Sequence, residues 1–270
     1  MTQPRPDDPT PPAPADPAPG SDGADLWASA APWAMQLVLR DERGEQAGRT
    51  THRAACEAAA TAAVLLLDDP RSAPGGPWHQ RVARWDGGPI RKVVRRARGA
   101  RFAATAALDG VEVVRRGAQV RAFVPGPIDR LPPELSRLQV GGTQLPDVGD
   151  PAPPVPGALV VALTPLAALT TGKAAAQCAH AAHLARRTLP DAEVRRWRAT
   201  GFAVRVVTPQ PAGWREAAGR ARVRVSDGGF TEVAPGTVTA LAWIDEGTRI
   251  DEGDEPLSRP GRPRAGRPAG

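Results

Sequence analysis

Residues 171–186 read TTGKAAAQCAHAAHLA, a lysine, a glutamine, a cysteine and two histidines set in alanine. These types could make a metal site, a nucleophile with its base, or a polar stripe on a packed helix. Spacing separates the three. Cys178 and His180 are two apart, and on a helix such residues point to nearly opposite sides, so they neither grip one ion nor act as thiol and base. His180 and His183 could share an ion, but two ligands are too few and the second half of the chain has no further Cys or His. No metal is expected. Lys173, Gln177 and His180, at spacings of four and three, form one stripe. Lys173 falls in the first helical turn, directly after Gly172, where unpaired backbone N–H groups and the helix dipole favour an anion. The plain packing alternative is a lysine stretched along the surface and a partly buried, hydrogen-bonded His180.

Composition sharpens the interest in Lys173. Lys and Arg total 35, yet only Lys92 and Lys173 are lysines, so a lysine inside this segment invites a chemical explanation. The formal charge of +6 is compatible with an anionic partner such as RNA, and equally with solubility alone. No cationic start leads into an apolar run, and no stretch approaches the ~18 apolar residues of a membrane span. Cys56 and Cys178 lie in similar alanine-rich segments and not in a disulfide framework. A cytoplasmic, membrane-free protein is the expectation.

The elements that must position this stripe are legible around it. ALVVAL (158–163) has the branching of a buried strand, and a helix follows from about Gly172 to Arg187. DAEVRRWRAT is a short helix, FAVRVV (202–207) a strand, PAGWREAAGRA a helix, and RVRVS (222–226) and TVTALAW (237–243) are strands. The first half repeats the order: MQLVLR (35–40), RTTHRAACEAAATAAVLLL (49–67), WHQRVARW, IRKVVRR and VEVVRR, with RAFVPG (121–126) set against TEVAPG (231–236). The expected class is α/β, with two similar three-layer-like units, each a mixed sheet of about four strands flanked by helices. The expected boundaries are a disordered tail at 1–32, units at 33–140 and 157–246 joined by a linker at 141–156, and a basic tail at 247–270.

TGKAAAQCAHAA resembles the G-K-x-A-A-Q-C-x-H-A hallmark of type-two peptidyl-tRNA hydrolases, and SDGGFTEVAPGTVT (226–239) resembles their D-A-G-x-T-Q-x-x-P-G-[ST]-x-T loop. The likeness covers about 157–244, and in degenerate form about 34–140. It implies hydrolysis of the ester joining a peptide to the 3′ end of tRNA, without metal or cofactor. Lys173 would stabilise the oxyanion or a terminal phosphate, Asp227 would orient the lysine or a water, and Thr231 would hold water or substrate. Gly172, Gln177, His180 and Thr237 would support them. As plain structure, Asp227 is a turn residue before Gly228-Gly229 and Thr231 a strand entry.

The sequence also departs from that pattern. Thr171 replaces a first lysine, the strand's Arg-x-Asp is missing from 158–166, Phe230 takes a basic position, Glu232 replaces glutamine, and the family's closing helix is not evident after Trp243. In the first half Arg53, Glu57 and Ala60 stand opposite Lys173, Gln177 and His180, while matching the Pro-Gly pairs sets Gly117 and Arg121 opposite Asp227 and Thr231. No active site is expected there. Family members generally pair as dimers, so the first half would stand in for a second subunit, giving a monomer with an internal pseudo-dimer or a homodimer of it. Its basic run IRKVVRRARGAR (90–101) would offer tRNA a positive surface or be a solvated face. Two other functions fit the residues: a lapsed copy that binds tRNA or another RNA without cutting, and a hydrolase of another acyl ester.

Overall fold

The computed structural model describes residues 29–42, 50–148, 151–228 and 232–247. The two tails expected at 1–32 and 247–270 lie almost wholly outside the described residues. The first half runs β1 (Trp33–Arg40), α1 (His52–Asp68), α2 (His79–Asp86), β2 (Arg91–Ala97), α3 (Gly99–Ala104), β3 (Gly110–Arg115) and β4 (Ala118–Phe123). It closes with two short strands, β5 (Gly126–Pro127) and β6 (Gln139–Val140), on either side of α4 (Pro133–Ser136). The second half runs β7 (Leu159–Leu163), α5 (Thr171–Thr188), α6 (Asp191–Ala199), β8 (Val204–Val207), α7 (Pro211–Arg220), β9 (Val223–Ser226) and β10 (Val238–Ile244).

The class is α/β, built on two mixed sheets. The first has the order β3-β4-β1-β2-β6 with β5 against β1, and the second β8-β7-β10-β9. In each, the opening strand pairs parallel to the next strand in sequence and antiparallel to the last long one, which pairs antiparallel to the strand before it. The repeated order of segments is thus a repeated topology. One match fails. Residues 121–123 of RAFVPG lie inside β4, the counterpart of β10, whereas TEVAPG precedes β10. Strand order therefore overrules the Pro-Gly pairing, and Arg116, the first residue past β3, holds the place that Asp227 holds past β9.

The halves share one core. The central helices α1 and α5 pack on each other between the sheets, and each also touches the other half's sheet, α1 at β8 and α5 at β2. Alanine makes this possible: Ala54, Ala58, Ala62, Ala174, Ala181 and Ala185 are all buried, and their small side chains let two helices and two sheets approach closely. Thr51 and Thr170 cap the helices through Oγ1, accepting from Ala54 N at 3.2 Å and Lys173 N at 3.3 Å. On the outer faces, Phe102 and Leu135 of α3 and α4 cover Val38 and Phe123 of the first sheet, and Ala217 and Trp214 of α7 cover Ala162 and Leu241 of the second.

The segment expected as a separating linker is a strap. Thr143 O accepts from Gly172 N at 3.3 Å, Leu145 N donates to Thr171 Oγ1 at 2.9 Å, and Pro146 O accepts from His52 N at 3.0 Å. It ties down the N-termini of both central helices. Among the described residues, no helix is long and apolar enough to cross a membrane.

Candidate functional site

Between the halves lies a cleft of about 660 Å³. Its floor is the Lys173, Gln177, His180, Leu184 face of α5, one wall is β2 from Arg91 to Val94, and the other is the end of β9 with Ser226 and Asp227. Spacing predicted the floor; the first half supplies a wall that spacing could not predict.

Lys173 and Asp227 form an ion pair with Nζ on Oδ2, both side chains largely shielded. Gln177 Nε2 donates to the same carboxylate oxygen at 2.6 Å. Asp227 is itself pinned through its backbone, since its N–H donates to Thr237 O at 2.9 Å and its carbonyl accepts from Gly236 N at 2.8 Å. Thr237 thus supports the site through its main chain. A carboxylate only accepts hydrogen bonds, so the Gln177 amide must face it with nitrogen, which turns Oε1 the other way. That oxygen is buried and has no partner among the described residues. A buried acceptor left unmatched is costly, and here it lies beside a cation and a carboxylate in a cleft, a place for the O–H or N–H of a water or ligand.

His180 also lines the cleft, and burial pushes its pKa well below the usual value. It is a neutral imidazole at neutral pH. Cys178 faces the other way, buried in the core, as two-residue spacing on a helix requires. Gly172 borders the cleft, where a Cβ would meet Thr143 Cβ at 3.7 Å, an ordinary contact. Thr231 and Phe230 lie outside the described residues.

The start of α5 is not the open anion site its position suggested. Gly172 N is bonded to Thr143 O, Lys173 N to Thr170 Oγ1, and Ala174 N to Thr170 O at 2.9 Å. In front of them sits Glu232, which accepts from Thr170 N at 2.8 Å and from Thr170 Oγ1 at 2.6 Å. The chain places its own carboxylate where the helix dipole favours a negative charge.

Sequence reasoning passed over a second cluster in the cleft. Lys92, from β2, lines it, and its Nζ lies 3.0 Å from His183 Nδ1 and 4.8 Å from the centre of the Trp85 ring. His183 Nε2 meets Asp86 Oδ1 at 2.7 Å, and its ring stacks on Trp85 at 5.0 Å. The Asp86 carboxylate facing Nε2 favours the tautomer with the proton on Nε2, which leaves the Nδ1 lone pair to Lys92. Burial is the main cause lowering the His183 pKa to about 4, and burial likewise drives that of Lys92 well down. The signal for Lys92 was the rarity of lysine: both lysines of the chain border this one cleft, one from each half.

The first half lacks the corresponding chemistry. Glu57 stands where Gln177 does, and it accepts from Val206 N at 3.1 Å and pairs with Arg116 at 3.4 Å, while Arg53 pairs with Asp147 of the strap at 3.3 Å. The basic run at 90–101 does not form one face either. Lys92 and Arg95 are buried, Arg95 donating to Gln36 Oε1 at 2.8 Å and Leu138 O at 2.9 Å, whereas Arg91 and Arg101 are exposed.

In comparison with known proteins, no family model, no curated protein and no solved structure matches the chain.

Proposed function

We propose that the cleft hydrolyses the ester of peptidyl-tRNA, with Lys173, Asp227 and Gln177 as its working groups. The observation that carries this reading is the Lys173–Asp227–Gln177 cluster with its unmatched amide oxygen. Ester hydrolysis needs a held water and a positive charge where the carbonyl oxygen becomes an oxyanion. Gln177 Oε1 accepts a hydrogen bond from the attacking water, and one proton of that water passes to the ribose oxygen as the acyl C–O bond breaks. Asp227 holds the Lys173 ammonium in place, and that ammonium offers its remaining hydrogens to the oxyanion. Neutral His180 lines the same floor without competing charge. The resemblance of both motifs to type-two peptidyl-tRNA hydrolases names the ester, and with it tRNA as partner and the cytoplasm as the compartment.

Glu232 favours a second reading, an RNA-binding relative that no longer cuts or a hydrolase of a less anionic acyl ester, because a carboxylate at the start of α5 repels phosphate. One assay separates them. Purified protein should release N-acetyl-amino acid from N-acetyl-aminoacyl-tRNA, and Lys173→Met should slow release by about 10²–10³ with tRNA binding retained. Salt-sensitive tRNA binding without release by the unaltered protein would establish the lapsed reading. Release from simple acyl esters but not from the tRNA would establish the third.

A further inference from the structure

The Asp86–His183–Lys92 chain has no part in the ester chemistry. It joins the halves: Asp86 ends α2 and Lys92 lies on β2, while His183 comes from α5. Salt-bridge architecture alone does not explain a lysine there. Elsewhere this chain uses arginine for a positive charge almost without exception, and arginine keeps its proton where lysine can lose it. The setting works against an ammonium. Lys92 is 8% exposed, and Ile90, Val94, Val140 and Leu184 border the same cleft. The charged groups acting on it are Asp86, which favours its proton, and Arg187, which opposes it. Neutral His183 touches it, and neutral His180 lies near enough that a proton on either would oppose one on the other.

We infer that Lys92 is a second reactive centre of the cleft, an amine that forms an imine with a small aldehyde or ketone, with His183 as its proton shuttle and Asp86 holding His183. The inference stands apart from ester hydrolysis. The Nζ lone pair attacks the carbonyl carbon, and the C=O π electrons move to oxygen. His183 Nδ1, 3.0 Å from Nζ, takes a proton from nitrogen and passes it to that oxygen, giving the carbinolamine. The same transfer of the second amine proton releases water with the electrons of the C–O bond, and the nitrogen lone pair closes the C=N bond. Both amine hydrogens leave in the water, and no oxidant or reductant is consumed. During each transfer the His183 imidazolium faces the Asp86 carboxylate, which stabilises it. An uncharged amine in an apolar cleft is the form that attacks carbonyls.

The full chain is incubated with acetaldehyde and sodium cyanoborohydride at pH 6, which reduces an imine to a stable ethyl amine, and the sites are mapped by peptide mass spectrometry. With only two lysines the map is unambiguous. At that pH an ordinary lysine has less than about one amine in ten thousand unprotonated. Lys92 should be ethylated at least about ten times faster than Lys173, and Lys92→Arg should lose that product alone. His183→Gln and Asp86→Asn should each slow labelling of Lys92 several-fold in protein whose melting curve shows it folded. Equal labelling of the two lysines, or none at Lys92, overturns the reactive amine. Unchanged labelling in both folded variants overturns the shuttle. Because no tRNA is involved, failure here leaves the ester reading untouched, and failure of that reading leaves this one.

Discussion

The Lys173–Asp227 pair and the His183–Lys92 contact differ in what they ask of the protein. The first is a charged pair held by a shared oxygen; the second rests on a buried imidazole that is neutral at neutral pH. Its folded pKa of about 4 lies below the usual ~6.5 of an unfolded histidine. The unfolded chain therefore binds more protons between these values, and stability present above pH 6.5 is lost as pH falls towards 4. His180, depressed in the same direction, adds to the loss, while Glu57, whose pKa burial raises, acts against it. For His183 alone the loss approaches about 3 kcal/mol. Urea unfolding at pH 7 and pH 4.5 should show it in the unaltered protein and a visibly smaller drop in His183→Gln; equal drops would remove His183 as a cause. Much of this residue scale was readable. Helical spacing placed Lys173, Gln177 and His180 on one face and Cys178 on the other. It was silent on Lys92 and Asp86, because nothing in a strand's own period says which helix of another repeat it will meet.

At the scale of elements, α5 is anchored at one end and packed along its length, and each property has a consequence. Glu232 sits on the capping residue Thr170, two hydrogen bonds holding it there. Glu232→Gln keeps the shape and removes the charge, so tRNA affinity should rise several-fold at low salt and the gain should fade as salt is raised, measured by filter binding. No change in affinity would mean that phosphate does not approach this end of α5. Along the helix pair, the alanines leave no spare volume. Ala58→Leu, at a fully buried position, should destabilise by about 1–3 kcal/mol in urea unfolding. Indifference to it would contradict the close packing of α1 between two sheets. The alanine runs, the threonine caps and the strand lengths of the second half were legible within a residue or two, as local signals are. The strap at 143–146 was not: its proline and glycine content reads as a spacer, and only its hydrogen bonds to α1 and α5 show otherwise. The match of RAFVPG to TEVAPG misled because a shared Pro-Gly marks a turn and not which turn.

For the whole molecule, two halves of the same strand topology make an unequal pair. Matching sheets clasp two central helices, and where the second half has Gln177 with Asp227, the first has Glu57 with Arg116 closed onto the backbone of β8. The first half contributes a wall and Lys92 to the cleft, while at its own equivalent position Glu57 and Arg53 are tied to Arg116 and Asp147. Activity should therefore be one-sided even though the fold is nearly two-sided. The most direct measurement is single-turnover cleavage of N-acetyl-aminoacyl-tRNA by the unaltered protein, by Lys173→Ala and by Arg53→Ala, the same change made at the two related positions. The expected result is a fall of about 10²–10³ for Lys173→Ala and a change within about two-fold for Arg53→Ala. Equal losses, or full activity in Lys173→Ala, would contradict it.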